Sequence, residues 1–121
     1  MNIYYHPLYT KGIDSKSTFP KERYDLIKDE LATSELSNII TIKTPHQAKV
    51  EDLYRAHSKN YVDAFLKSEL SEKQVREIGL KPWSNKIIDR TLLLTGGSLS
   101  ALFDLYKGAP VAANMAGGTH H

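Results

Sequence analysis

Val111-Ala112-Ala113-Asn114-Met115 is a short apolar run placed directly behind a long helical pattern that Gly108 and Pro110 bring to a close. A run of this length and character reads as a strand buried on both faces, the kind found in parallel sheets. It leads into Ala116-Gly117-Gly118-Thr119-His120-His121, the most chemically loaded segment of the chain. Upstream, Ile39-Ile40-Thr41-Ile42 is a β-branched strand signal, and Asn2 to Tyr5, ending at His6-Pro7, reads as an edge or first strand. Long crossovers separate the three runs. Strands alternating with helices in this way predict an α/β fold with a largely parallel sheet flanked by helices. In such folds ligands gather beyond the carboxyl ends of the strands, which is where the Gly-Gly-Thr-His-His turn falls.

The helical segments carry their own punctuation. Pro20 suits the first turn of a helix, with Tyr24, Ile27 and Leu31 as its apolar face, while Leu8 to Thr18 reads as a polar loop. Val50, Leu53 and Tyr54, then Tyr61, Val62, Phe65 and Leu66, form two short amphipathic helices broken near His57-Ser58. Ser71-Glu72-Lys73-Gln74 has the form of a capping box, and Gly79 suits a left-handed helix terminus. The longest helix starts near Ser84. Its apolar side is predicted along Ile88, Leu92, Leu99, Leu102, Phe103 and Tyr106. Gly96-Gly97 in its middle costs about 1 kcal/mol per glycine against alanine; either a close-passing backbone or a kink explains the pair.

Composition narrows the function classes. In 121 residues, 16 basic and 14 acidic side chains leave a net charge of +2, and there is no cysteine. No basic stripe suits nucleic acid. Apolar runs such as Leu92-Leu93-Leu94 fall far short of the roughly 20 residues of a membrane span. No disulfide scaffold, zinc-finger thiolates or thiol nucleophile is available. No signal-peptide pattern opens the chain, so the expected compartment is the cytoplasm.

Read from the residues alone, adjacent histidines behind two glycines allow a loose tail, a surface metal site, or a catalytic pair. Neighbouring side chains in extended backbone point apart and a structural zinc site takes four ligands, which weakens the second reading. In the third, one imidazole takes a proton from water and the other gives one to a leaving group. His6 and His57 read as structural and His46 as solvent-facing. The seven tyrosines suit core positions better than base stacking.

Asn114 to His121 resembles the Gly-Gly-x-His-His signature of the zinc-dependent histone deacetylase superfamily. Tyr5-His6-Pro7, Phe19-Pro20-Lys21-Glu22-Arg23-Tyr24, His57-Ser58-Lys59-Asn60-Tyr61-Val62, Ile78-Gly79-Leu80-Lys81-Pro82-Trp83-Ser84, and Arg90 through Gly96-Gly97 are similar to that family in order and spacing. The version here is most similar to the bacterial class IV, histone-deacetylase-11-like branch. The resemblance covers the whole chain and implies the arginase/deacetylase-like fold, with residues 1–121 as an N-terminal fragment of one catalytic domain.

The same resemblance implies hydrolysis of acetyl-lysine or a related N-acetyl amide. His120 would hold and deprotonate the water, and His121 would act as general acid–base. Gly117 and Gly118 would form the active-site turn, Trp83 and Ser84 would lie near the substrate rim, and Lys21 or Arg23 would stand beside an acetate channel. The family's zinc ligands, two aspartates and a histidine, and its carbonyl-polarising tyrosine come after the His pair. The expectation is therefore Zn2+ in the full-length family but not on this chain alone, with the chain inactive alone. Phe103, Tyr106 and the Val111 strand would be left uncovered, which predicts a homo-oligomer or domain swap through an open sheet edge. The rival reading is a non-catalytic assembly module that self-associates or pairs with a complementing chain.

Overall fold

The structure, a computed structural model, describes residues 1–118. Three strands, β1 (Asn2–Tyr4), β2 (Thr41–Lys43) and β3 (Ala112–Asn114), form a parallel sheet in the order β2-β1-β3. The helices are α1 (Leu8–Lys11), α2 (Arg23–Thr33), α3 (Val50–Tyr54), α4 (Lys59–Leu66), α5 (Glu72–Ile78) and α6 (Lys86–Tyr106), with a short 3-10 turn at Glu35–Asn38. The α/β class and the parallel sheet flanked by helices agree with the sequence reading.

The first strand is the centre of the sheet rather than an edge. Ile3 lies opposite both Ile42 and Ala113, so β1 pairs on each side. Ile3 and Tyr4 are buried to match. The segment read as a loop contains α1, whose start is fixed by His6: its Nδ1 accepts from the Leu8 N–H at 3.1 Å. Four residues are too few for periodicity to reveal.

Helix ends follow the residues that can cap them. Ser71 Oγ accepts from the Gln74 N–H at 3.3 Å while Gln74 Oε1 accepts from the Ser71 N–H at 2.9 Å, so the capping box forms. Gly79 terminates α5 with φ +77°, a left-handed conformation that glycine adopts without cost. Ser84 Oγ accepts from the Lys86 N–H at 3.2 Å and starts α6.

Helix α6 organises the core, but not through the face that apolar spacing predicts. Its buried positions are Ile87, Arg90, Leu93, Leu94, Gly96, Gly97 and Ala101. Leu99, Leu102, Phe103 and Tyr106 are exposed. The contact side mixes Ile87, Leu93 and Leu94 with small residues and one arginine, which carry little hydropathy signal. The glycine pair resolves as a close approach. A Cβ on Gly96 would sit 1.8 Å from the His46 carbonyl oxygen, and one on Gly97 would meet Tyr9 Oη and Asn114 Oδ1 at 2.5 Å. The chain beside Pro45 crosses α6 here, and the Ala48 N–H donates to the Leu92 carbonyl at 3.0 Å.

One core cluster joins Tyr9, Tyr24, Leu93, Leu94 and Ala116; a second joins Ile13, Leu80 and Ile87. In α2 only Tyr24 of the expected face is buried, and Ile27 is exposed.

Candidate active site at the end of the third strand

Beyond the carboxyl end of β3 the chain turns through Met115 and Ala116 to Gly117 and Gly118. The Met115 N–H donates to the Tyr4 carbonyl at 2.9 Å and extends the pairing with β1 by one residue. Asn114 then fixes the turn. Its amide nitrogen donates to the carbonyls of Leu94 (2.9 Å) and Ala116 (2.8 Å) and to Ser98 Oγ (3.2 Å), while its Oδ1 accepts from the Tyr9 hydroxyl at 2.8 Å. Asn114 is half-buried in a half-buried strand, and its bonds tie β3, α1 and α6 to one point. Ala116 is fully buried beneath it. Gly117 and Gly118 emerge exposed, with open space where a Cβ would stand.

Gly118 borders a cavity of about 430 Å³ walled by His57, Tyr61 and Phe65 of the α3–α4 region and by Arg90, Thr91, Thr95 and Ser98 of α6. The His57 and Tyr61 rings meet at a tilt of 43° with centroids 5.8 Å apart. Arg90, 1% exposed, donates from Nε to the Tyr9 carbonyl at 3.0 Å and from Nη2 to Tyr24 Oη at 3.5 Å. Burial is the largest influence on it and lowers its pKa from the usual guanidinium value.

Behind this wall Phe19 and Tyr24 carry two guanidinium groups. Arg23 lies 5.0 Å from each ring centroid, and Arg90 lies 5.8 and 5.9 Å from them. Tyr5, Tyr9 and Tyr24 continue the array with edge-to-face contacts of 6.0 and 6.1 Å. Lys21 is buried but faces elsewhere: its ammonium donates to the Ser15 and Ser17 carbonyls at 3.4 and 3.3 Å and pairs with Glu22 at 3.2 Å.

The expected site residues fall into three groups. Gly117 and Gly118 are at the strand end beside the cavity. Trp83 lies behind one wall of it, edge-on to Phe65 at 6.0 Å and packed on the Ile13–Leu80–Ile87 cluster, and Ser84 Oγ accepts from the Lys86 N–H at the start of α6. His120 and His121 lie outside the described residues. His6 is structural, as read. Asn114, Tyr9 and Arg90 were not singled out from the sequence as site residues, although an asparagine inside an apolar strand is a signal that something must satisfy it.

Among the described residues no three His, Asp or Glu side chains converge as a metal site. These residues alone do not fit a zinc ion of three protein ligands. Among the described residues, likewise, no helix is long and apolar enough to cross a membrane.

The model for the histone deacetylase domain matches residues 17–121. An uncharacterized protein of a Picosynechococcus species is 35% identical over 123 residues, an alignment that takes in 98% of this chain and 39% of that relative. The chain thus spans about two fifths of the length of the relative it matches. With the domain match running over most of its residues, this chain belongs to the histone deacetylase family.

Proposed function

We propose that this chain forms the part of an N-acetyl amide hydrolase that carries the proton-transferring histidines. Water adds to the acetyl carbonyl while His120 takes its proton. The tetrahedral adduct then breaks its C–N bond as His121 gives a proton to the departing nitrogen, leaving acetate and a free amine. Acetyl-lysine or an acetylated polyamine is the substrate class, and the class IV branch is the assignment within the family. The enzyme works in the cytoplasm.

The observation supporting this reading most directly is the anchoring of Asn114. Three hydrogen bonds hold the strand end against α6 and α1 and a fourth closes the turn onto Ala116, so Gly117 and Gly118 leave from a fixed point beside the cavity. Arg23, stacked with Arg90 on Phe19 and Tyr24, is a better candidate than Lys21 for the basic group beside an acetate path, because Lys21 is already engaged by two carbonyls and Glu22. Trp83, held against Phe65, would support the rim from beneath. Zinc is expected in the full-length family, with its ligands drawn from outside residues 1–118.

The test is acetate release from acetyl-lysine peptide and acetylated polyamine, with zinc added. It is run on this chain and on the longest natural protein that carries the segment. Hydrolysis by the longer protein, reduced at least about 100-fold by His121→Ala, is the expected result. Turnover unaffected by replacing both histidines, or none with either substrate, sinks the reading.

A further inference from the structure

The side chain that holds Asn114 in place belongs to α1. Tyr9 is fully buried and is fixed at both ends. Arg90 Nε donates to its backbone carbonyl at 3.0 Å. The rings of Tyr5 and Tyr24 meet its ring edge-on at 6.0 and 6.1 Å. Its hydroxyl lies 2.8 Å from Asn114 Oδ1 and 3.3 Å from the Leu93 carbonyl. Helix α6 makes room for this pair at Gly97, where a Cβ would stand 2.5 Å from both Tyr9 Oη and Asn114 Oδ1. It seats α1 as closely at Gly12, where a Cβ would stand 2.7 Å from Arg90 Cβ. Each of these contacts joins elements of the described chain, so none depends on what lies against its outer surface.

A phenol has one hydrogen to donate. Given to Oδ1, it leaves the Asn114 amide nitrogen facing the Leu94 and Ala116 carbonyls. The reverse orientation would set Oδ1 against two carbonyl oxygens. Among the described residues Tyr9 supplies the one hydrogen bond that Oδ1 receives. We propose that Tyr9 is a positioning residue for the hydrolysis. Its hydroxyl locks the Asn114 amide, and the amide sets the turn at Ala116 from which Gly117, Gly118 and the histidine pair follow. The inference rests on the reading of His120 and His121 as the proton-transferring groups. Without the hydroxyl, Oδ1 has no donor and the strand end loses its tie to α1. Misplacing a reacting group by about 1 Å costs on the order of 100-fold in rate, so a small movement at Asn114 is felt in the chemistry.

The test uses Tyr9→Phe, which removes only the hydroxyl, in the longest natural protein that carries the segment. With zinc and acetyl-lysine peptide, kcat should fall about 10-fold or more, with KM within about twofold of wild type. Tyr4→Phe is the comparison. Its hydroxyl donates to the Asp104 carboxylate at 2.9 Å, a bond to a charged group and so worth at least as much to stability, but it bonds nothing in the turn. Tyr4→Phe should keep kcat within about twofold. A second measurement needs no turnover: hydrogen exchange of the Asn114 side-chain amide in this chain, read against the Tyr5 N–H, which is bonded to the Lys43 carbonyl on the other side of the sheet. Tyr9→Phe should speed that exchange about 10-fold or more relative to Tyr5, and Tyr4→Phe should not. Wild-type kcat in Tyr9→Phe, with His121→Ala still inactive, overturns this inference and leaves the hydrolase reading standing. Equal losses of kcat in the two tyrosine variants, or an unchanged exchange ratio, overturn it as well. No hydrolysis by the wild-type protein overturns both.

Discussion

The phenol of Tyr9 donates a hydrogen bond to Asn114 Oδ1 at 2.8 Å, joining the first helix to the last strand across 105 residues of chain. The same asparagine satisfies the Leu94 and Ala116 carbonyls. Asn114→Ala removes all of these bonds at once and leaves buried partners without them. Each buried group left unsatisfied costs about 1–3 kcal/mol. The expected loss is about 2–4 kcal/mol in urea denaturation, and a change below about 0.5 kcal/mol would show that the turn is held by something else.

Gly96 and Gly117 make a paired prediction. A methyl group on Gly96 would overlap the His46 carbonyl, which belongs to backbone and has little room to retreat. Gly96→Ala therefore costs about 3 kcal/mol or more, lowering the melting temperature by at least about 10 °C in a domain of this size. Gly117→Ala meets open space and should stay within about 0.5 kcal/mol of wild type. Equal melting temperatures for the two variants would contradict the close crossing of the His46–Ala48 segment over α6.

The adjacent Gly96 and Gly97 show what the sequence reveals and what it hides. Two adjacent glycines in a long helix signal a close approach, and the approach is there. Four of the residues on the contact side, Gly96, Gly97, Ala101 and Arg90, are small or charged and only Ile87, Leu93 and Leu94 are large and apolar, so apolar spacing selects the opposite face of α6. Strand order was legible only as far as parallel pairing, because hydropathy says nothing of which strand lies in the middle; β1 does so because both neighbours pair with it. At the site, Gly117 and Gly118 were legible from their neighbours in sequence. The cavity behind them was not, since His57, Arg90 and Gly118 are far apart in sequence and border one space only in the folded chain.

Asp104 links the end of α6 to β1 by accepting from Asn2 Nδ2 at 2.8 Å and from the Tyr4 hydroxyl at 2.9 Å. These bonds, the one from Asn2 first, hold its carboxyl below the usual aspartate value. A carboxyl depressed in the folded state contributes stability above its unfolded pKa, about 3.9, and loses it as pH falls through the folded value. Asp104→Asn should therefore be less stable than wild type at pH 7, with the difference shrinking as pH drops below about 4. Denaturation midpoints from pH 7 to pH 3 measure it. A difference that stays constant over that range would mean that the carboxylate charge plays no part.

At the alkaline end the buried tyrosines take over. Tyr9 is fully buried, and burial pushes its phenol up to about 12 from an ordinary value of 10, against the opposing influence of Arg90 and Asn114. A phenol raised in the folded state holds its proton more tightly there than in the unfolded chain. Its contribution is complete below pH 10 and is lost as pH rises toward 12, because the unfolded state ionises first. Two pKa units correspond to about 2–3 kcal/mol. Tyr4 and Tyr5 are raised as well, chiefly by burial and then by their bonds to Asp104 and Asp25. Wild type should therefore lose stability steeply above pH 10. Tyr9→Phe should start about 1 kcal/mol lower at pH 7, for the lost bond to Asn114, and then fall less steeply, so that the two curves converge between pH 10 and 12. Parallel curves through that interval would show that Tyr9 ionises as freely in the folded protein as in the unfolded chain, and that the core around Asn114 admits solvent.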